Sequence, residues 1–111
     1  MRPRSLVLAP LALLLLAATA LAVTEPQLTA TASSLDSSYS ALKARFDADT
    51  ESHVVLLGDY NVLEAQRAQL HHDRGTLPAS CGCSTLDGLI ASIDLKSADI
   101  QRVIDAWEEV S

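Results

Sequence analysis

The residues best equipped for chemistry in this 111-residue chain are Cys81 and Cys83, set one glycine apart in the turn-forming segment Pro78-Ala79-Ser80-Cys81-Gly82-Cys83. Two thiols at that spacing admit four chemistries. Joined to each other, the plainest reading, they close a very small disulfide ring, which is strained and more readily reduced than an ordinary bridge. Joined to another chain, one or both give a covalent dimer or an anchored complex. With His71 and His72, which end the helical pattern before the turn, they offer two imidazoles and two thiolates, a donor set suited to zinc or copper. As exchanging sulfurs they form a thiol–disulfide site, with Cys83 near a helix N-terminus where the dipole favours its thiolate. The spacing is not the C-x-x-C of the usual oxidoreductases, and no βαβ pattern surrounds it. Adjacent histidines also diverge by about 100° on a helix, so both ligate only where the helix has frayed.

A second group of polar residues lies where apolar ones are expected. Asp49, His53 and Arg67 fall on the seam of an amphipathic pattern, and Asp49 and His53 are spaced to pair on one helix face. A carboxylate–imidazole pair with no nucleophile is not a catalytic set. The plainer role is to fix helix register or to mark a helix break. Arg67 is within reach of Asp87 or Asp94 across a hairpin, and Trp107 falls in phase with Ile100 and Ile104 as a core residue. The sequence has no H-E-x-x-H, no G-x-S-x-G, no phosphate-binding glycine loop and no EF-hand loop. No catalytic residues are assigned.

The elements that must position these groups are helical. An apolar ladder with alternating steps of four and three runs through Leu35, Tyr39, Leu42, Phe46, Asp49, His53, Leu56, Tyr60, Leu63, Arg67 and Leu70. Ser33-Ser34-Leu35-Asp36 has the S-x-x-D form of a helix start, and Gly75 and Pro78 close the segment. Ser84-Thr85-Leu86-Asp87 repeats the start signal before a second ladder, Leu86, Ile90, Ile93, Ser97, Ile100, Ile104 and Trp107. The run His53-Val54-Val55-Leu56-Leu57 also suits a short buried strand, but the helical phase continues on both sides of it. The expected fold is all-α, an antiparallel helical hairpin or a three-helix bundle with coiled-coil-like packing. The arms cover about residues 33–73 and 84–110 within a domain spanning 33–111, and residues 23–32 read as a flexible N-terminal tail.

Length decides between the two forms. Straight arms span roughly 60 Å and 40 Å at about 1.5 Å per residue. In a hairpin Leu63 then faces Ile93, Leu56 faces Ile100, His53 faces Ile104 and Asp49 faces Trp107. The short arm runs out opposite Phe46, which leaves Leu35, Tyr39, Leu42 and Phe46 uncovered. Exposing four such side chains forfeits about 1.5–3 kcal/mol each. Either the first arm breaks near 47–50, with Asp49 or Thr50 capping a new helix, or the overhang docks on a partner or a second copy. The break is favoured for the fold. The straight arm makes residues 35–46 a partner-binding surface.

The N-terminus sets the compartment. Arg2 and Arg4 precede the apolar run Leu11-Ala12-Leu13-Leu14-Leu15-Leu16, which closes on Ala20-Leu21-Ala22. That order is a secretory signal peptide over residues 1–22. Cleavage after Ala22 leaves six basic against fourteen acidic residues, so the net charge moves from −6 to −8. An acidic chain is repelled by nucleic acid and by anionic membranes. With the leader removed no membrane-spanning segment is expected. A secreted or periplasmic destination makes an oxidised Cys81–Cys83 pair the default. The reading is a small exported acidic protein, non-enzymatic, that docks on, bridges or inhibits a protein partner or associates with itself. The alternative is a metal- or thiol-handling protein built on His71, His72, Cys81 and Cys83.

Overall fold

The computed structural model describes residues 23–110, and the expected signal peptide over 1–22 lies outside the described residues. Three helices make up the described chain: α1 (Glu25–Ala48), α2 (His53–Gly75) and α3 (Ser84–Val110), with no strand among the described residues. They pack as a bundle in which α1 makes the broadest contact with α3, then with α2, while α2 and α3 approach each other least closely.

Residues 23–32 are not a flexible tail. They form the first turns of α1, and the helix starts about nine residues earlier than the Ser33 signal indicated. Thr24 and Gln27 make a reciprocal capping box: Thr24 Oγ1 accepts from the Gln27 amide at 3.4 Å, and Gln27 Oε1 accepts from the Thr24 amide at 3.0 Å. Leu28 and Ala32 continue the ladder upstream of Leu35 and are buried. Ala32 is too small to register as a seam residue, yet it is fully covered. Ser33 lies inside the helix, and Asp36 reaches across to α3, accepting from Ser92 Oγ at 2.8 Å and Lys96 Nζ at 2.9 Å.

The long arm does break. Asp49 caps α1 in the left-handed region (φ 53°, ψ 43°), donating its amide to the Arg45 carbonyl at 3.1 Å. The new helix is capped by Ser52, whose hydroxyl accepts from the Val54 amide at 3.2 Å, and not by Asp49 or Thr50. Arg45 pins the corner, donating to both carboxylate oxygens of Glu51 (2.8 and 2.7 Å) and to Asp59 of α2 (2.8 Å). The four-residue connection makes α1 and α2 antiparallel neighbours, and the turn at 76–83 reverses the chain again into α3.

That corner removes the proposed docking stripe. Leu35, Tyr39, Leu42 and Phe46 are buried within the chain, none more than 3% exposed, so they are core and not a partner surface. Folding back at Asp49 brings α2 and α3 onto the same face of α1, and the stripe finds its cover intramolecularly. Leu56, Tyr60 and Leu70 come from α2, and Leu86, Ile90, Ile93, Ile100 and Ile104 come from α3. The register between α2 and α3 differs from expectation by about one turn. Arg67 meets Asp94, Arg74 meets Asp87, and His53 lies on Trp107 where Ile104 was expected. Part of the shift arises because α2 continues to Gly75, which moves the centre of the reversal further along the chain.

Candidate functional site

The turn carrying the cysteines is short and mostly exposed. Thr76 Oγ1 donates to the Asp73 carbonyl at 2.6 Å, the Leu77 amide to the Arg74 carbonyl at 3.1 Å, and the Cys81 amide to the Pro78 carbonyl at 3.2 Å. Gly82 then takes a left-handed φ of 67°, a conformation that glycine adopts without penalty. This bend lets the two neighbouring sulfurs meet: Cys81 and Cys83 form a disulfide across a Cα–Cα distance of 5.3 Å. Cys83 is buried against the core, and Cys81 is half-buried. The Cys83 carbonyl accepts the first bond of α3, from the Asp87 amide at 2.8 Å, so the disulfide sits at the amino end of that helix.

The metal reading does not assemble. His71 Nε2 lies 2.8 Å from Asp94 Oδ1 on α3, and the two sulfurs are bonded to each other. His71 and His72 are both exposed on α2, and among the described residues no group of three or more His, Cys, Asp or Glu side chains is arranged to hold a metal ion. His71, His72, Cys81 and Cys83 therefore do not converge on a zinc or copper site.

At the opposite end of the bundle Asp49 and His53 do pair, with 3.0 Å between Oδ1 and Nε2. The His53 ring stacks on Trp107, its centroid 3.6 Å away and the planes 4° apart, and Trp107 stacks in turn on Phe46 at 5.3 Å. Tyr60 meets Phe46 edge-on at 6.3 Å. This aromatic stack closes the end of the core and contains no nucleophile.

Sequence reasoning placed Arg67 within reach of Asp87 or Asp94, of which the structure pairs it with Asp94, but missed the network around them. Glu64 of α2 accepts from Tyr39 Oη of α1 at 2.7 Å, from Ser97 Oγ of α3 at 2.5 Å, and from Arg67 through both carboxylate oxygens at 3.1 Å. Arg67 also donates to Asp94 at 2.8 Å. Tyr60 Oη extends the network to the Ser97 carbonyl at 3.3 Å and to Gln101 at 3.1 Å. Burial alone would raise the Glu64 carboxyl, but the bonds from Arg67, Ser97 and Tyr39 outweigh it and hold the group below the usual carboxylate range. Burial, and then the bond to Glu64, pushes the Tyr39 phenol well up, so it remains a proton donor. The signal was Ser97, a polar residue in phase with five isoleucine and leucine positions. Glu64 lies off the seam and could not be found that way.

A feature the sequence did not signal is the outer surface of α2. Its exposed positions between Val54 and Gln69 are Val54, Val55, Gly58, Asn61, Val62, Ala65, Gln66, Ala68 and Gln69, none of them charged, and the Asp59 carboxylate, 48% exposed, borders them in its pair with Arg45. The charged residues of the same stretch, Asp59, Glu64 and Arg67, turn to α1 or α3. Val54 is 78% exposed and Val62 56%. Beside this face, a groove of about 320 Å³ between α1 and α2 is lined by Ser38, Ala41, Leu42, Arg45, Asp59, Val62 and Leu63. No protein-family model, curated protein or solved structure matches the chain. The candidate surfaces are thus defined by the geometry of this chain alone.

Proposed function

We propose that the protein is a small exported, non-enzymatic interaction module whose contact surface is the outer face of α2 and whose occupant is a second copy of the chain. The observation that carries this reading is the uncharged, valine-bearing face in a body that is otherwise strongly acidic. Two chains of net charge −8 repel each other through most orientations. The α2 face is where they can meet with the fewest apposed carboxylates, since Asp59 at its border is already paired with Arg45, and burying Val54, Val55 and Val62 removes apolar surface from water. A two-fold arrangement places the same face on both partners. Export is supported by the leader pattern of residues 1–22, and by Thr24, which caps α1 two residues after the expected cleavage site.

Sedimentation equilibrium of the purified protein tests the interaction. A concentration-dependent dimer is expected, and Val55→Glu/Val62→Glu should give a monomer with unchanged helix content. A wild-type protein that stays monomeric at the highest soluble concentration overturns the proposal. Intact-mass measurement of the exported form should begin at Val23, and a mass that retains residues 1–22 overturns cleavage.

A further inference from the structure

We propose that the Cys81–Cys83 disulfide is a thiol–disulfide exchange site that oxidises external thiols. Three observations combine. First, the bond joins residues two apart within one turn and links no two helices, so it restrains very little of the unfolded chain and has almost no stapling role. Secondly, its two cysteines are unequally covered: Cys83 is 4% exposed, whereas Cys81 is half-buried at the edge of the core. Thirdly, a Cβ placed on Gly82 would meet no atom within 4 Å beyond its two chain neighbours, so no other part of the chain covers the turn at Gly82.

The geometry sets the direction of the reaction. An external thiolate attacks Cys81 Sγ, the Cys81–Cys83 bond breaks, and the electron pair leaves on Cys83. The departing thiolate stays at the amino end of the 27-residue α3, whose first-turn amides and dipole offset the cost of placing negative charge at a buried position. The acidic residue nearest in that turn, Asp87, is already paired with Arg74 at 2.6 Å. A second external thiolate then attacks the external sulfur of the mixed disulfide and releases Cys81. Two external thiols become one disulfide, and their two electrons and two protons pass to Cys81 and Cys83. The substrate class is a small thiol or a reduced cysteine pair in a protein.

The test compares folded and unfolded protein. Oxidised protein is mixed with reduced glutathione in buffer or in concentrated urea, then quenched in acid and alkylated, and each cysteine is read by peptide mass. The fold should accelerate the reaction about tenfold over the unfolded chain, through the better leaving group. The first product should carry glutathione on Cys81 and the alkyl tag on Cys83. A folded protein that reacts more slowly than the unfolded chain, or one that carries the adduct on Cys83, overturns the proposal. Purified protein with two alkylatable thiols, or with a doubled mass lost on reduction, overturns it as well. A peptide with two reduced cysteines, run in parallel, separates the sources: its oxidation to an internal disulfide assigns protein thiols, and reaction with glutathione alone assigns small thiols.

Discussion

Glu64 is where the three helices are tied together by one side chain, since its carboxylate accepts from Tyr39 of α1, Arg67 of α2 and Ser97 of α3. A half-buried carboxylate with four donors is stable only while it is ionised. Its folded value lies below the unfolded one, which is about 4.3. Its contribution is therefore complete above that pH and is lost as pH falls through the lower folded value. Glu64→Gln should cost about 1–3 kcal/mol at pH 7, because it removes charge-assisted bonds while keeping the shape. The cost should shrink as urea titrations move from pH 7 towards pH 3. A variant as stable as the parent at pH 7 would show that the network is ornamental. Arg67 was visible as a polar interruption of an apolar ladder. Glu64 was not, because it lies beside the seam and its partners come from two other helices. Only the tertiary arrangement places them around it.

At the scale of the elements, the informative positions are the ends of α1. Leu28 is buried although it lies in a segment that reads as a tail. Leu28→Ala should cost about 2–5 kcal/mol, measured by urea unfolding, whereas a truly loose segment would show no effect. At the other end, Asp49 holds a φ of 53°, which a β-branched residue tolerates badly. Asp49→Gly should leave stability nearly unchanged, and Asp49→Val should cost about 1–2 kcal/mol. Equal effects of the two would show that the left-handed corner is not required. The closure of α2 by Gly75 and the position of the start of α3 were legible, although Ser84 is the first helical residue, the Cys83 carbonyl accepts the first bond and Asp87 pairs with Arg74. The start of α1 was misread, because Ser33-Ser34-Leu35-Asp36 carries the same letters as a cap while Asp36 is used for a contact with α3. The true capping pair was Thr24 and Gln27, immediately after the leader.

For the molecule as a whole, the basic side chains of the described residues are spent internally. Lys43, Arg45, Arg67, Arg74, Lys96 and Arg102 each lie in an ion pair, and Arg45, Arg67, Arg74 and Lys96 tie α1, α2 and α3 to one another or to the corner. The acidic surplus is left outside, which makes the uncharged face of α2 conspicuous. The core closes at Phe46, where Tyr60 and Trp107 converge. Phe46→Ala should cost about 3–5 kcal/mol, with fluorescence of the single tryptophan reporting the unfolding transition. Phe46→Asp should unfold the monomer. A folded Phe46→Asp protein altered only in its association would restore the exposed docking stripe.

Residue spacing and turn chemistry alone show that the chain is helical, that it reverses between Gly75 and Ser84, and that one apolar ladder runs through Leu35, Phe46 and Leu56 and a second through Leu86 and Ile100. These properties follow from periodicity and from local hydrogen-bond chemistry, which act over a few residues. That Leu35, Tyr39, Leu42 and Phe46 are core follows from packing between helices. The corner at Asp49 brings two further helices over them, and burying large apolar side chains within the chain avoids the loss of freedom that recruiting a partner entails. The same packing decided that His71 pairs with Asp94 and not with the sulfurs, because helix register sets which side chains come within bonding distance.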